Sequence, residues 1–84
     1  MQQFEQKNLK KLGERIKNLR IKKSKSLNSF VFTRGGLTTA SWSRLENGKF
    51  DAKFSTLVKA AGMLEISIED LLKDLALDYS IDEQ

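Results

Sequence analysis

Residues 36–49 read Gly-Leu-Thr-Thr-Ala-Ser-Trp-Ser-Arg-Leu-Glu-Asn-Gly-Lys, and this stretch decides the fold. Thr38 has the short polar side chain that caps a helix N-terminus. Gly48 is the residue type that most readily takes the left-handed conformation just past a helix C-terminus. The stretch therefore predicts a helix from about Thr38 to Asn47.

One side of this helix carries small and hydrogen-bonding side chains with a single arginine. They are Thr39, Ala40, Ser43, Arg44 and Asn47. The other side carries two large apolar residues, which are predicted to face the core. They are Trp42 and Leu45. Small side chains let the backbone approach base edges, and arginine donates two hydrogen bonds to guanine O6 and N7. The pattern favours a helix that reads the major groove of DNA.

Helical spacing continues on the N-terminal side of this stretch. Apolar residues three and four apart predict an amphipathic first helix over residues 6–23. A short second helix follows, capped by Ser26 or Asn28 and ended by the glycine pair at 35–36. Its apolar residues are Phe30, Val31 and Phe32. Both phenylalanines are interpreted as core residues, with exposure of one of them left open.

Two more helices are predicted on the C-terminal side. Asp51 is expected to cap a fourth helix, and Ser67 with Asp70 resembles a capping box for a fifth. The apolar positions of the fourth helix are Phe54, Leu57, Val58, Ala61 and Leu64, and those of the fifth are Leu71, Leu72 and Leu75. Five short helices with brief connections predict an all-α fold.

The tail allows two interpretations. Leu75, Leu77, Tyr79 and Ile81 alternate with polar or small residues, as in a short strand, whereas Leu71, Leu75 and Tyr79 suit continued helix. A strand at this place has no partner within a helical chain. It would therefore pair with a second copy of the protein.

Charge is divided unevenly along the 84 residues, which have a net charge of +4. Residues 1–64 carry 14 Lys/Arg against four Asp/Glu, a net +10, and residues 65–84 carry one Lys against seven acids, a net −6. A basic body favours a polyanionic partner such as nucleic acid. Lysines of the first helix are interpreted as mainly solvent-facing. They are Lys7, Lys10, Lys11 and Lys17.

Residue types that are missing exclude several functional classes. The chain has no cysteine and no histidine, which rules out disulfide bonds and thiol or imidazole catalysis. No acid–base pair and no Gly-rich phosphate loop is visible, so the sequence predicts a non-enzymatic protein without metal or cofactor. There is no apolar run of about 20 residues and no signal-peptide pattern, and the expected location is the cytoplasm.

Four segments carry a resemblance to a known family. Residues 43–49 (Ser-Arg-Leu-Glu-Asn-Gly-Lys) are similar to a family run S-R-I-E-N-G-K, and residues 54–59 (Phe-Ser-Thr-Leu-Val-Lys) to L-E-T-L-x-K. Residues 66–71 (Ile-Ser-Ile-Glu-Asp-Leu) are similar to V-S-L-D-E-L, and residues 12–20 look like the family's first helix. Over about residues 9–72 the chain thus resembles the Cro/phage-repressor (XRE) family of helix-turn-helix regulators.

The resemblance implies a five-helix lambda-repressor-like DNA-binding domain over residues 9–72. It is preceded by an N-terminal arm (1–8) and followed by an acidic tail (73–84). By the same resemblance Thr39, Ala40 and Arg44, with Ser43 close by, face base edges. Phosphate contacts fall on Thr38, Asn28, Ser29, Asn47 and Lys49. Arg20 and Glu46 occupy positions that brace the first helix against the recognition helix.

The chain departs from the family pattern in two ways. It has one residue more than usual between Arg20 and Glu46, which leaves the register of the second helix open by one residue. Phe32 falls at or beside a position that is normally alanine, and Trp42 replaces isoleucine or valine. These departures predict a bulkier contact between the second and third helices.

The expected function is that of a sequence-specific transcription regulator, a repressor that binds duplex DNA as a homodimer. The expected dimer surface comprises Leu71, Leu72, Leu75, Leu77, Tyr79 and Ile81. The alternative is an antitoxin or adaptor that mainly binds a protein partner, such as a toxin, with DNA binding secondary. The acidic tail favours this alternative because it could wrap a basic partner.

Overall fold

The computed structural model describes residues 3–77, with side chains from residue 6 onward, and this part of the chain is helical. The helices are α1 (Gln3–Lys23), α2 (Leu27–Arg34), α3 (Thr39–Glu46), α4 (Phe54–Leu64) and α5 (Ile68–Leu72). The predicted all-α class is confirmed. None of the described helices has both the length and the apolar character needed to cross a membrane.

Side-chain caps start three of the helices. Ser26, Thr38 and Ser67 each accept a hydrogen bond from the backbone N–H three residues further on, at 3.2, 3.1 and 3.0 Å. Each bond satisfies a donor that the helix itself leaves unpaired. The prediction for α4 is wrong, because its N-cap is Lys53, without a side-chain bond, and not Asp51.

The late start of α4 has a packing reason. Phe50 and Ala52 are partly buried against the core while Asp51 between them is exposed. Residues 51–53 lie outside regular structure, and the backbone of Lys53 is extended (φ −66°, ψ 154°), so the loop keeps both apolar side chains against the core. Burial of the loop therefore overrides the local capping preference of Asp51.

Buried apolar side chains from all five helices form a single core. They are Leu12, Ile16, Phe30, Trp42, Leu45, Ala60, Ala61, Met63, Leu64 and Leu71. Trp42 is fully buried, and the centroid of its ring lies 4.8 Å from that of Phe30 at an interplanar angle of 54°. This tilted aromatic pair joins α2 to α3 and confirms Trp42 as a core residue.

Phe32 does not take part in the contact between α2 and α3, because 91% of its surface is exposed. Residues two apart on a helix do not share a face, so Phe30 and Phe32 cannot both point inward. Phe30 takes the inward position and Val31 beside it is partly buried. The prediction of a contact made bulkier by Phe32 is therefore wrong.

Two of the apolar positions predicted for α4 also face solvent. Phe54 is 70% exposed and Val58 is 43% exposed. The inner face of α4 is formed by Ala60, Ala61, Met63 and Leu64, with Leu57 partly buried beside them. Phe54 and Val58 are one helical turn apart, and together they form an exposed apolar ridge.

The segment after α5 is held against α1 by basic side chains. The guanidinium of Arg15 donates to the carbonyl oxygens of Leu71 at 3.3 Å and Lys73 at 2.8 Å, and Lys11 Nζ donates to Ala76 O at 2.6 Å. Residues 75–77 form neither strand nor helix. Leu75 lies beyond α5, contrary to the prediction, and the rest of the predicted tail, with Tyr79 and Ile81, lies outside the described residues.

Candidate nucleic-acid interface

The position of α3 is fixed by a close approach of α1 to its C-terminal end. A Cβ atom added to Gly13 would lie 2.5 Å from the carbonyl oxygen of Glu46 and 2.6 Å from that of Leu45. Gly48 has a φ of 63°, and a Cβ there would lie 3.0 Å from the backbone of Leu9. Glycine is therefore needed at both places for the two helices to cross.

A buried ion pair adds to this crossing. Arg20 Nε and Nη2 donate to Glu46 Oε2 and Oε1 at 2.8 and 2.9 Å, and the two side chains are 7% and 6% exposed. Trp42 Nε1 donates to the same Oε2 at 2.7 Å. The hydrogen bond to Glu46 raises the pKa of Arg20 against the opposing effect of burial. The brace expected between these two residues is thus present.

Arg20 also stabilises the end of α1. Its Nη1 donates to the carbonyl oxygens of Ser24 at 3.3 Å and Lys25 at 2.9 Å. Those carbonyls follow the last turn of α1 and lead into Ser26, the cap of α2. One guanidinium therefore ties α1, the turn before α2, and α3 together.

The solvent side of α3 carries the residues predicted to read bases. Ala40 and Arg44 are exposed, and Thr39 and Ser43 are half-buried. Within the described residues, no hydrogen bond or ion pair engages the guanidinium of Arg44. Since a rigid helix presents it without a protein partner, this guanidinium is available to a bidentate acceptor.

The residues predicted to contact phosphate lie around this surface. Asn28 and Ser29 are exposed in the first turn of α2, and Thr38 and Lys49 are exposed near opposite ends of α3. Asn47 is exposed and its Nδ2 donates to Ser43 Oγ at 3.3 Å. The first turns of α2 and α3 lie close together, because residues of both line one shallow groove. Helix N-termini favour anions.

The charge distribution around α2 and α3 is a feature that the sequence motifs alone do not reveal. Residues 15–45 contain eight Lys/Arg and no Asp or Glu. Arg20, Lys23 and Arg34 pair with Glu46 or Glu65. Within the described part of the chain the other five have no acidic partner; they are Arg15, Lys17, Lys22, Lys25 and Arg44. The helices that hold α3 thus present mainly uncompensated positive charge.

The predicted dimer surface is only partly exposed. Leu71 is fully buried in the core and so cannot face a second copy, which corrects the prediction for this residue. Leu75 is partly buried against the core. Leu72 and Leu77 are 36% and 47% exposed. Of the described residues in the predicted set, these two offer the most apolar surface.

No family model matches the chain, and no curated protein matches it.

Proposed function

We propose that the protein is a sequence-specific, double-stranded-DNA-binding transcriptional regulator of the Cro/phage-repressor type. It has a five-helix lambda-repressor-like domain in which α2 and α3 form the helix-turn-helix unit. It acts as a homodimeric repressor in the cytoplasm, and needs no cofactor. α3 enters the major groove, where Thr39, Ala40, Ser43 and Arg44 meet base edges.

The observation that carries the proposal is an exposed, unpartnered arginine on a helix whose other side is rigidly held. Arg44 faces solvent, while Trp42 and Leu45 on the same helix are buried. Base readout requires side chains positioned to within a fraction of an ångström, and a helix fixed by core packing and a buried ion pair supplies that precision. The small neighbours of Arg44 leave room for the backbone to approach the bases.

Phosphate contacts from around α3 supply the sequence-independent part of binding. Asn28 and Ser29 from α2, together with Thr38, Asn47 and Lys49, hold the strands on either side of the groove. Each neutralised phosphate releases condensed counterions, so the affinity falls steeply as salt is raised. The cations of residues 15–45 that have no acidic partner increase attraction to DNA at long range.

A dimer places two copies of α3 in successive major grooves about 34–36 Å apart. The operator is then roughly palindromic. Leu72 and Leu77 are the described residues that contribute to the proposed dimer contact, whereas Leu75 is partly buried against the core. Tyr79 and Ile81 belong to the same proposed surface.

Selection of binding sites from a random duplex library at physiological salt tests the proposal. The wild-type protein should enrich a two-fold symmetric site. Arg44→Ala should bind that site more weakly by about 1–3 kcal/mol and should lose preference at one position in each half-site. Lys73→Ala is the matched control, because it removes one positive charge from an exposed residue after α5. It should leave the selected sequence unchanged.

Two results would contradict the proposal. One is the absence of any enriched sequence above the non-specific background. The other is an equal loss of affinity for every sequence when Arg44 is replaced, which would limit this residue to a phosphate contact.

A second candidate function is supported by the exposed apolar ridge of α4. Phe54 and Val58 lie one turn apart and are 70% and 43% exposed. Together with the net charge of −6 over residues 65–84, such a ridge suits an antitoxin or adaptor that grips a basic protein partner. Failure to select any DNA sequence would favour this candidate.

A further inference from the structure

Phe32 is the most exposed large hydrophobic residue of the described chain. It is 91% exposed, whereas Phe30, two residues earlier on α2, is buried in the core. An aromatic ring in water gains free energy when a partner covers it. Its position on the molecule indicates which partner that is.

The ring of Phe32 borders the base-reading end of α3. Phe32 lines a shallow groove of about 620 Å³, whose other lining residues are Ser26, Asn28, Ser29, Val31 and Thr39. Thr39 is the first residue of α3, and Asn28 and Ser29 lie in the first turn of α2. A ligand that contacts these residues therefore also meets Phe32.

The charge of the segment that contains the groove favours a polyanion as that ligand. The groove itself is lined by neither acidic nor basic residues, and this 31-residue segment has eight cations and no anion. The ligand must nevertheless offer an apolar group to the ring. Duplex DNA combines the two, because thymine projects its C5-methyl group into a major groove bordered by phosphates.

Resting on the proposed function, we infer that Phe32 is a specificity-determining residue that covers a thymine methyl group in the major groove. Base recognition then involves α2 as well as α3. The base read by Phe32 lies beside the one that faces Thr39. The ring contributes no hydrogen bond, so its preference is for the methyl group itself.

The test replaces thymine by uracil, one position at a time, in the site selected by the wild-type protein. This change removes the methyl group and leaves every hydrogen-bonding group of the base in place. For the wild-type protein, one thymine in each half-site should show a loss of affinity of about fourfold, as expected for one buried methyl group. Phe32→Ala should bind the thymine and uracil sites equally well. Phe32→Leu, which keeps an apolar side chain, should retain part of the difference.

Phe54→Ala is the matched control, because it removes another exposed phenylalanine from a different helix. It should keep the wild-type response to uracil. Circular dichroism of each variant verifies folding, and the substitution in the DNA leaves the protein unaltered.

Two results would overturn the inference alone. The first is a selected site on which the wild-type protein responds to no uracil substitution. The second is an equal response of wild-type and Phe32→Ala proteins. In both cases a site that depends on Arg44 would leave the proposed function standing. If the wild-type protein selects no duplex at all, the proposed function and this inference fall together.

Discussion

The carboxylate of Glu46 accepts three hydrogen bonds from two side chains. Oε2 receives Arg20 Nε at 2.8 Å and Trp42 Nε1 at 2.7 Å, and Oε1 receives Arg20 Nη2 at 2.9 Å. A buried ion pair is a poor source of net stability, because desolvation offsets most of its Coulomb attraction. Its effect is to fix geometry: α3 cannot rotate about its axis without breaking the two bonds from Arg20 of α1.

Removing the Glu46 carboxylate should destabilise the protein far more than the intact ion pair stabilises it. Glu46→Ala leaves the guanidinium of Arg20 buried without its counter-ion, and we expect a loss of about 3–5 kcal/mol in the free energy of unfolding. Urea denaturation measures this loss. Trp42→Phe, which keeps an aromatic ring and removes one donor, should cost less. Glu14→Ala, at an exposed site on α1, should stay within about 0.5 kcal/mol of wild type. A loss below about 1 kcal/mol for Glu46→Ala would contradict the brace.

Three side-chain features show what could and what could not be predicted from the sequence. The burial of Trp42 and the pairing of Arg20 with Glu46 could be predicted, because the first follows from helical spacing and the second from matched motifs. The exposure of Phe32 could not. It depends on which of three consecutive apolar residues faces α3, and a helix of two turns has too few residues for its periodicity to decide this.

The crossing of α1 over α3 is the contact that orients α3, the proposed recognition helix. Gly13 sits inside a long helix, where glycine is destabilising relative to alanine. Glycine is nevertheless required here, because a Cβ atom would lie 2.5 and 2.6 Å from two backbone oxygens of α3. Backbone atoms at a helix end cannot move aside as the tip of a flexible side chain can.

Two glycine-to-alanine changes should therefore have opposite signs. Gly13→Ala should destabilise the protein by about 1–3 kcal/mol, because overpacking pushes α1 away from α3. Gly62→Ala, within α4, should stabilise it by about 0.5–1 kcal/mol, since a Cβ there meets nothing within 4 Å. Thermal or urea unfolding of both variants makes the comparison. Stabilisation by Gly13→Ala would show that the two helices do not approach this closely in solution.

The helix boundaries could be predicted better from capping and turn residues than from the spacing of apolar residues. The caps at Thr38 and Ser67 and the glycine stop at Gly48 could be predicted, and the cap of α2 could be narrowed to Ser26 or Asn28, because each depends on one residue and its immediate neighbours. The start of α4 was not, because burial of the preceding loop decides it. The same limit applies to Phe54, whose exposure depends on how α4 is rotated against α1 and α5.

Glu65 joins three helices at the surface of the whole molecule. It follows α4 in the left-handed conformation, with a φ of 64°. Its carboxylate lies 3.2 Å from Lys23 of α1 and 2.7 Å from Arg34 of α2. The hydrogen bond from Lys23, followed by the charge and hydrogen bond of Arg34, lowers the pKa of Glu65 below its ordinary value of 4.5.

This lowered pKa predicts a pH dependence of folding. The contribution of Glu65 is fully present above the ordinary pKa and is lost as the pH falls through the lowered pKa, because the folded state then has to bind a proton it disfavours. Glu65→Gln should lose less stability than wild type on acidification through this range, as measured by urea midpoints at successive pH values. Replacing both Lys23 and Arg34 by methionine should flatten the profile similarly. Parallel profiles for wild type and Glu65→Gln would contradict the prediction.

In the proposed homodimer, operator affinity depends on self-association, which is a property of the whole molecule. A domain of this size has a small core, and the proposed dimer would bury further apolar surface. Leu72 and Leu77 are 36% and 47% exposed at the end of the described chain.

Replacing both Leu72 and Leu77 by lysine should lower the dimer fraction in sedimentation experiments and weaken operator binding, because two linked copies of α3 bind far more tightly than one. Ile21→Lys changes a residue of α1 with 39% exposure and should leave the dimer intact. If the double variant sediments like the wild-type protein while both stay folded, the dimer contact lies elsewhere, and the ridge of Phe54 and Val58 becomes the next surface to change.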